Sequence, residues 1–392
     1  MSFPLEGTKV LDLTRALSGP FATRILSDLG ADVVKVEPPD GDMTRAYGSR
    51  IGNLASHFTQ HNAGKRDICI DLKAEGASAL LLELADVADI VVENFRPGVM
   101  ARYGLDWETL HARNSRMIML SISGFGQDGP ERDRAAYAPV MHAESGLIDR
   151  FAELGRNRAV DFPVSMADTT AAVHGVIGVL SAMVMAQRTG RGQHIDLAMV
   201  NTQFYHDDFL SMVLSGDTPP AGSGEVWTVE GGRLVIATTF KYLWRTLAKH
   251  GQLHDPGDED GRRQALGGYL ASFPSWAAVT AMLDKVNLAW GRVRPWRDAI
   301  HTNPSVGPRR VLAEIDNRIG GTRPTTQAPY HFSDAEACVR GPAPYRGEHN
   351  TEVLRDWLGR SREQVAALLE AGVLTTQDPL LESSSDSKWS TR

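Results

Sequence analysis

The chain has 392 residues, 42% of them hydrophobic and 23% charged, with a formal net charge of −7. This is the balance of a globular chain of two domains, and the acidic excess argues against nucleic-acid binding or attachment to an anionic membrane, both of which need a basic face. Two cysteines, Cys69 and Cys338, give no disulfide framework or cysteine metal cluster, and the chain shows neither a leader-like start nor an unbroken apolar run of about 18 residues. A reducing cytoplasm is therefore the expected location, with neither secretion nor membrane insertion.

Strand-like and helix-like segments alternate through the first two hundred residues. Residues 9–14 read as a buried strand, 19–29 as a helix opened by Gly-Pro, and 31–37 as the next strand. The pattern continues with a strand at 67–71, a helix at 75–88, a strand at 89–93, a short helix at 107–114 and a strand at 117–123. Such spacing predicts an α/β fold of βαβ units with a mostly parallel sheet covered on both faces. Ligands bind such sheets beyond the carboxyl ends of the strands, so chemistry is expected in the loops after Thr14, Glu37, Asp71, Glu93 and Ser123.

The character then changes. The stretch 215–224, rich in Gly, Pro and Ser, reads as a linker. A strand at 233–239 and Trp-bearing helical stretches reaching Gly321 predict a smaller α+β domain, with 255–261 as a solvated loop. Residues 341–349 introduce two more helices, and the Ser-rich end reads as disordered. The expected division is 1–205 for the large domain, 206–225 for a linker, 226–325 for the small domain, 326–381 for a return to the large domain and 382–392 for a disordered tail.

Asp168 closes the extended Phe162-Pro-Val-Ser-Met-Ala and opens a long, mostly apolar helix. It can be an N-cap, accepting from an orphan N–H of the first turn, or a nucleophilic carboxylate held at a helix N-terminus. Gly124-Phe-Gly-Gln-Asp-Gly129 matches the dinucleotide fingerprint and follows a strand, so an oxidoreductase is a distant alternative. The charged Pro-Glu-Arg-Asp-Arg that follows departs from the small-residue helix that fingerprint requires. His57 and His61 stand one helical turn apart, but no third metal ligand accompanies them, and a surface or core role is expected. His174 lies six residues after Asp168, which points it away from that carboxylate. No metal site is expected. Neither a Gly-x-Ser-x-Gly elbow nor a Gly-x4-Gly-Lys-Ser/Thr loop occurs.

Several segments together resemble the family III (class III) coenzyme A-transferases, a group that includes formyl-CoA transferase, carnitine CoA-transferase and the α-methylacyl-CoA racemases. They are Pro4-Leu-Glu-Gly-Thr-Lys-Val-Leu-Asp-Leu-Thr14, Gly19-Pro20, Leu29-Gly-Ala-Asp-Val-Val-Lys-Val-Glu37, Gly41-Asp-Met-Thr-Arg45, Asn62-Ala-Gly-Lys-Arg66, Val92-Glu-Asn-Phe-Arg-Pro-Gly98, Ser123 to Pro130, Ala167-Asp168, Gly190-Arg-Gly-Gln193 and Arg346-Gly-Glu-His349. The likeness is dense over 4–200, returns near 341–372 and is faint between 205 and 325. It implies a Rossmann-like large domain built from both ends of the chain, a smaller α+β domain between them, and an interlocked homodimer of ring-shaped subunits.

The resemblance places Asp168 on the family's catalytic carboxylate. It implies attack on a donor acyl-CoA to give an aspartyl anhydride, then an aspartyl-CoA thioester that passes CoA to a carboxylic acid acceptor. Acyl-CoA and the acid are substrates, with no permanently bound cofactor. The matching CoA site is Arg15, Ala16, Leu17 and Ser18, with Leu72 and Lys73, and Asn94, Phe95, Arg96 and Arg102. Two basic residues of the formyl-CoA transferase pattern are replaced by Pro38 and Ala135, with Arg134 a candidate substitute for the phosphate contact. Tyr137 stands where the racemases carry a proton-exchanging His, and a phenol with a reference pKa of about 10 is a poor base at neutral pH. His142, five residues on, keeps α-proton exchange as the alternative. An acidic residue that often follows this Tyr is Ala138 here, and the glycine-rich loop of formyl-CoA transferase finds no convincing match, so oxalate is not the expected acid. Phe240, Tyr242, Trp244 and Trp227 can wall a bulky acid, although core packing is the expected fate of at least half of them.

Overall fold

The structure, a computed structural model, describes residues 2–155, 158–220 and 224–376. The expected tail 382–392 lies outside them. The chain divides into two compact units, Met1–Asp208 with Arg310–Arg392, and Phe209–Arg309.

The first unit is built on six strands: β1 (Lys9–Asp12), β2 (Asp32–Glu37), β3 (Arg66–Cys69), β4 (Ile90–Glu93), β5 (Ile118–Ser123) and β6 (His194–Ala198). All are parallel, in the order β3-β2-β1-β4-β5-β6. This is the doubly wound Rossmann order, in which the direction of winding reverses between the first and fourth strands. Alternate residues of β1 serve opposite faces, as the pleat requires. Leu11 joins a core layer with Leu81, Leu84 and Trp357, whereas Val10 joins one with Ile25, Leu26 and Val176. Burial on both faces explains the apolar runs Ile90-Val-Val92 of β4 and Ile118-Met-Leu120 of β5. Each fully buried Leu contributes about 1.5–3 kcal/mol.

Helices α1 (Ser18–Asp28) and α8 (Met166–Thr189) cover one face and α3 (Ala77–Val87) the other. The remaining helices of the first 208 residues are α2 (Ser56–Asn62), α4 (Val99–Arg102), α5 (Trp107–Arg113), α6 (Ala138–Glu144), α7 (Leu147–Gly155) and α9 (Met199–His206). Helix α8 is long and apolar enough to cross a bilayer, with a mean hydropathy of 1.7. It is nevertheless a core helix on one side: Ala167, Ala171, Ala172, Gly175, Val176 and Val179 are buried, and a Cβ at Gly175 would stand 2.9 Å from Leu120 of β5.

Strand β6 was not expected from sequence. It is the sheet edge and mostly half-buried, so His-Ile-Asp-Leu-Ala carries no apolar run. The turn into it depends on Gly192, where a Cβ would lie 1.6 Å from the Met117 carbonyl oxygen.

The hairpin β10 (Leu312–Asp316) and β11 (Thr322–Thr326) belongs to the first unit, which corrects the expected small-domain range of 226–325. Its anchors are there: Arg24 donates to the Thr326 carbonyl at 3.1 Å and Arg323 to that of Leu54 at 3.0 Å. The returning segment is tied to the opposite edge, where the Gly347 N–H donates to Asp67 Oδ1 at 2.6 Å and the Cys69 N–H to Asn350 Oδ1 at 3.0 Å. The two expected terminal helices are α15 (Asn350–Leu358) and α16 (Arg362–Glu370), the latter opened by a capping box of Ser361 and Gln364.

The second unit holds an antiparallel sheet, order β9-β8-β7, of β7 (Gly224–Val229), β8 (Gly232–Ala237) and β9 (Trp290–Arg292). With it go α10 (Leu210–Leu214), α11 (Phe240–Gly251), α12 (Glu259–Ala271), α13 (Trp276–Lys285) and α14 (Ala299–Thr302). The expected linker 206–225 thus contains α10 and the start of β7. Trp227 is buried in the core, Phe240 and Trp244 pack on it, and Tyr242 is exposed, so three of the four aromatics suspected of walling a pocket serve packing.

Candidate active site

The chain leaves β1 through Leu13-Thr-Arg-Ala-Leu17 and leaves β4 through Asn94-Phe-Arg-Pro97. These loops flank the point where strand order reverses, and Asn94 joins them. Its Oδ1 accepts from the Arg15 N–H at 2.9 Å, and its Nδ2 donates to the Arg15 carbonyl at 2.8 Å and to Ser18 Oγ at 3.3 Å. The next residue, Ala16, adopts a left-handed backbone with φ of 65°, a conformation that costs a residue with a Cβ about 1–2 kcal/mol. Asp42 Oδ1 accepts its N–H at 3.3 Å.

Beneath these loops lies a buried ionic network. Lys35 Nζ, fully buried, donates to the Thr14 carbonyl at 2.7 Å and to Asp42 Oδ2 at 3.1 Å. Burial opposes its charge, but the Asp42, Asp12 and Glu37 carboxylates hold the ammonium above its usual range. Lys65 Nζ meets Asp12 Oδ2 at 2.9 Å, the Pro20 carbonyl at 2.9 Å, Thr23 Oγ1 at 2.8 Å and Asn62 Oδ1 at 2.8 Å. Burial outweighs Asp12 there and pulls Lys65 down to about 8. Strand end, loop and helix start are thus fixed by paired charges, whose desolvation is offset only while every partner is present.

Above the loops opens a cleft, part of it open to solvent. Of the residues expected at a site, Arg15, Ala16, Ser18, Asn94, Phe95, Arg96, Tyr137 and Asp168 line it together. Leu17, Leu72, Lys73 and Arg102 do not line this cavity. Leu17 is the N-cap residue of α1, Leu72 is partly buried against the core layer that holds Leu11, and Lys73 and Arg102 are exposed. Met43, Arg132 and Met199 also line the cleft and were not anticipated. Arg132 had a signal, being one of two arginines in the loop before Tyr137.

Asp168 is not the N-cap of α8. That position is Ser165, whose side chain makes no capping bond, and Asp168 sits in the first turn. Burial pushes its carboxyl up to about 6, while the Ser18 N–H and hydroxyl and the Ala138 N–H act in the opposite direction. Ser18 and Ala138 are the first residues of α1 and α6. Three helix N-termini therefore converge on one half-buried carboxylate, each favouring its anion.

Tyr137, 59% exposed, is the N-cap residue of α6. His142 is fully buried, and both ring nitrogens are engaged: Nδ1 lies 2.7 Å from Asp161 Oδ1, and Nε2 accepts from the Ala167 N–H at 3.2 Å. Its lone pair is turned to the backbone rather than to the cleft, which corrects the expectation that His142 can serve as an α-proton base. Arg134, the candidate substitute for the phosphate contact, lines the cleft as well, paired at the surface with Glu131 and Glu144 and lying over Phe125. Arg15, stacked 5.6 Å over Phe95, and Arg96 have no carboxylate partner among the described residues.

The Gly124–Gly129 segment opens no helix. Helix α6 begins at Ala138, and a Cβ at Gly124 would stand 2.1 Å from that of Ala136. The glycine closes a loop on itself, and the helix N-terminus on which a dinucleotide fingerprint relies is missing. The His57 and His61 rings lie 4.8 Å apart, and burial pushes His61 down to about 3. His174 meets His206 at 2.8 Å.

Fold and cleft define a doubly wound α/β protein with an anion-receptive site at its switch point and a carboxylate at the centre. The chain belongs to CoA-transferase family III, whose model matches residues 5–350. Succinate–glutarate CoA-transferase of Agrobacterium fabrum is 32% identical over 386 residues, covering 90% of this chain and 95% of that one. The alpha subunit of succinyl-CoA–L-malate CoA-transferase of Chloroflexus aurantiacus is 37% identical, covering 93% and 91%. The crystal structure of a CAIB/BAIF family protein from Brucella suis superposes with a TM-score of 0.78 at 30% identity, covering 91% of this chain and 100% of that one.

Proposed function

We infer that this protein moves CoA from an acyl-CoA donor to a carboxylic acid through covalent intermediates on Asp168. The observation that carries the reading is the half-buried Asp168 carboxylate at three helix N-termini in the CoA-transferase cleft. With its carboxyl at about 6, Asp168 is mostly ionised at neutral pH and ready to attack the thioester carbonyl. Attack forms a mixed anhydride and releases CoA thiolate, which returns to the aspartyl carbonyl and displaces the donor acid. The acceptor carboxylate then attacks the aspartyl thioester. The thiolate released takes the acceptor acyl group from the new anhydride and frees Asp168. Each intermediate is an activated acyl group, so one transfer is divided among steps of moderate barrier.

Arg15 and Arg96 are the proposed contacts to the CoA phosphates, with Ala16, Ser18, Asn94 and Phe95 completing that surface. A small dicarboxylic acid is the acceptor class, supported by the succinate, glutarate and malate in the relatives' names and by the exposed Arg132 at the cleft. The working unit is a homodimer. Exposed Val173, Ile177, Val184 and Met185 along α8 support contact with a second copy, and light scattering should return twice 42.8 kDa.

The test is to incubate the protein with succinyl-CoA and trap the enzyme with hydroxylamine or borohydride, reading the adduct by peptide mass spectrometry. A modification at Asp168 that is absent from Asp168→Asn supports the reading. Rapid deuterium exchange at the α-carbon of a 2-methylacyl-CoA, with no trappable adduct, sinks it in favour of a racemase.

A further inference from the structure

Helix α8 begins without a cap of its own, because the Ser165 side chain bonds none of the first-turn N–H groups. Orphan donors at a helix start need an acceptor, and the Ala167 N–H finds one on another element, at His142 Nε2 of α6, 3.2 Å away. An N–H donor on Nε2 requires a lone pair there, which places the imidazole proton on Nδ1. That nitrogen faces Asp161 Oδ1 at 2.7 Å, the proper acceptor for it. The ring is fully buried and packs 5.1 Å from Phe162, so packing fixes its orientation as well. The Asp–His pair has the form used to activate nucleophiles, but it ends on a backbone amide. The residue after that amide is Asp168.

We propose that His142 is a positioning residue: held as the Nδ1–H tautomer by Asp161, it caps α8 in trans and sets the turn that aims Asp168 at the thioester. This deepens the transferase reading and rests on it. It assigns His142 no proton transfer to substrate. Its role is geometric, and a misplacement of about 1 Å costs a reaction near 100-fold.

His142→Leu keeps the apolar packing and removes the acceptor, whereas His142→Gln can restore an oxygen facing the Ala167 N–H. In single-turnover trapping with succinyl-CoA, His142→Leu should slow adduct formation about 10- to 100-fold and change CoA affinity less than about threefold. His142→Gln should recover most of the loss. Asp161→Ala, a change at an exposed residue that keeps the fold safe should the Leu variant fail to fold, should slow the same step about 3- to 10-fold. Wild-type adduct rates in His142→Leu or Asp161→Ala, or a Gln variant no better than Leu, overturn the proposal. A separate readout is independent of chemistry: 15N-histidine spectra of the wild-type protein, assigned by difference against His142→Gln, should show the His142 proton on Nδ1. A proton on Nε2 overturns the assignment. Absence of adduct from the wild type itself instead overturns the Asp168 nucleophile, and the tautomer then still decides whether His142 caps the helix.

Discussion

Asp168→Asn should abolish adduct formation and at the same time stabilise the protein. The carboxyl stands at about 6 in the folded chain against 3.8 ordinarily, a shift of roughly 2 units, or up to about 3 kcal/mol at about 1.4 kcal/mol per unit. Asp168 is partly open to the cleft, and solvent screening reduces this to about 1–2 kcal/mol. Because its pKa is raised by folding, the folded protein takes up the proton first as pH falls, and stability declines as pH rises from about 4 to about 6. The whole cost is present at pH 7.5 and none of it below about pH 4. Asn is neutral throughout and retains an acceptor for the Ser18 N–H. The variant should therefore exceed wild type by about 1–2 kcal/mol at pH 7.5, a few degrees in melting temperature, and the gap should close by pH 4. Urea and thermal melts across that range measure it. A variant no more stable at pH 7.5, or a gap that ignores pH, would refute the idea that burial dominates the site.

The loop and network contacts give three more outcomes. Asn94→Ala removes the two bonds to Arg15 across the switch point, and calorimetry should find CoA binding weakened about 10- to 30-fold at about 1 kcal/mol per bond. Lys65→Met leaves the buried Asp12 carboxylate without its cation and should cost about 3–5 kcal/mol in denaturant melts, most of it recovered by also replacing Asp12 with Asn. Burial pushes Glu93 up to about 7 while its carboxylate accepts the Phe95 N–H at 2.8 Å. CoA affinity should thus fall as pH drops through 7 and the carboxylate takes up a proton, and Glu93→Gln should flatten that dependence.

Most of the sheet was legible because a parallel sheet buried on both faces writes its central strands as short apolar runs, and the ends of those runs marked the ligand loops. Strand β6 was not, because an edge strand with Asp196 half in solvent carries no such run. Lys35, within Val-Val-Lys-Val-Glu37, is a charge set in an apolar strand, where burial demands a partner. Its partner Asp42 was not readable from spacing, nor was the Asp12–Lys65 pair, 53 residues apart. Resemblance located Asp168, yet the groups that tune it, Ser18 and Ala138, come from helices that only the tertiary fold brings beside α8. His142 was misjudged for the same reason: its two partners lie 19 and 25 residues further along the chain.

The opposing influences on Asp168 have a consequence for the proposed chemistry. Helix N-termini and Ser18 favour the anion, and with nothing against them the carboxylate would be a stable, weakly basic group and a poor nucleophile. Burial, the larger influence, opposes them and leaves the carboxyl at about 6, so the group is ionised at neutral pH yet more basic than a solvated aspartate. In the proposed chemistry, when Asp168 is acylated its charge passes to the departing CoA thiolate, and when that thiolate forms the aspartyl thioester the charge leaves on the donor carboxylate. The N–H groups of Ser18 and Ala138 stay fixed by their helices and face the carbonyl oxygen that next turns anionic when the thiolate or the acceptor acid adds. Donors that need no reorientation stabilise such oxyanions at little cost. In the proposed chemistry the convergence of α1, α6 and α8 on one carboxylate serves every step at that carbon, and the geometry of the turn that His142 is proposed to hold then matters as much as the carboxylate it carries.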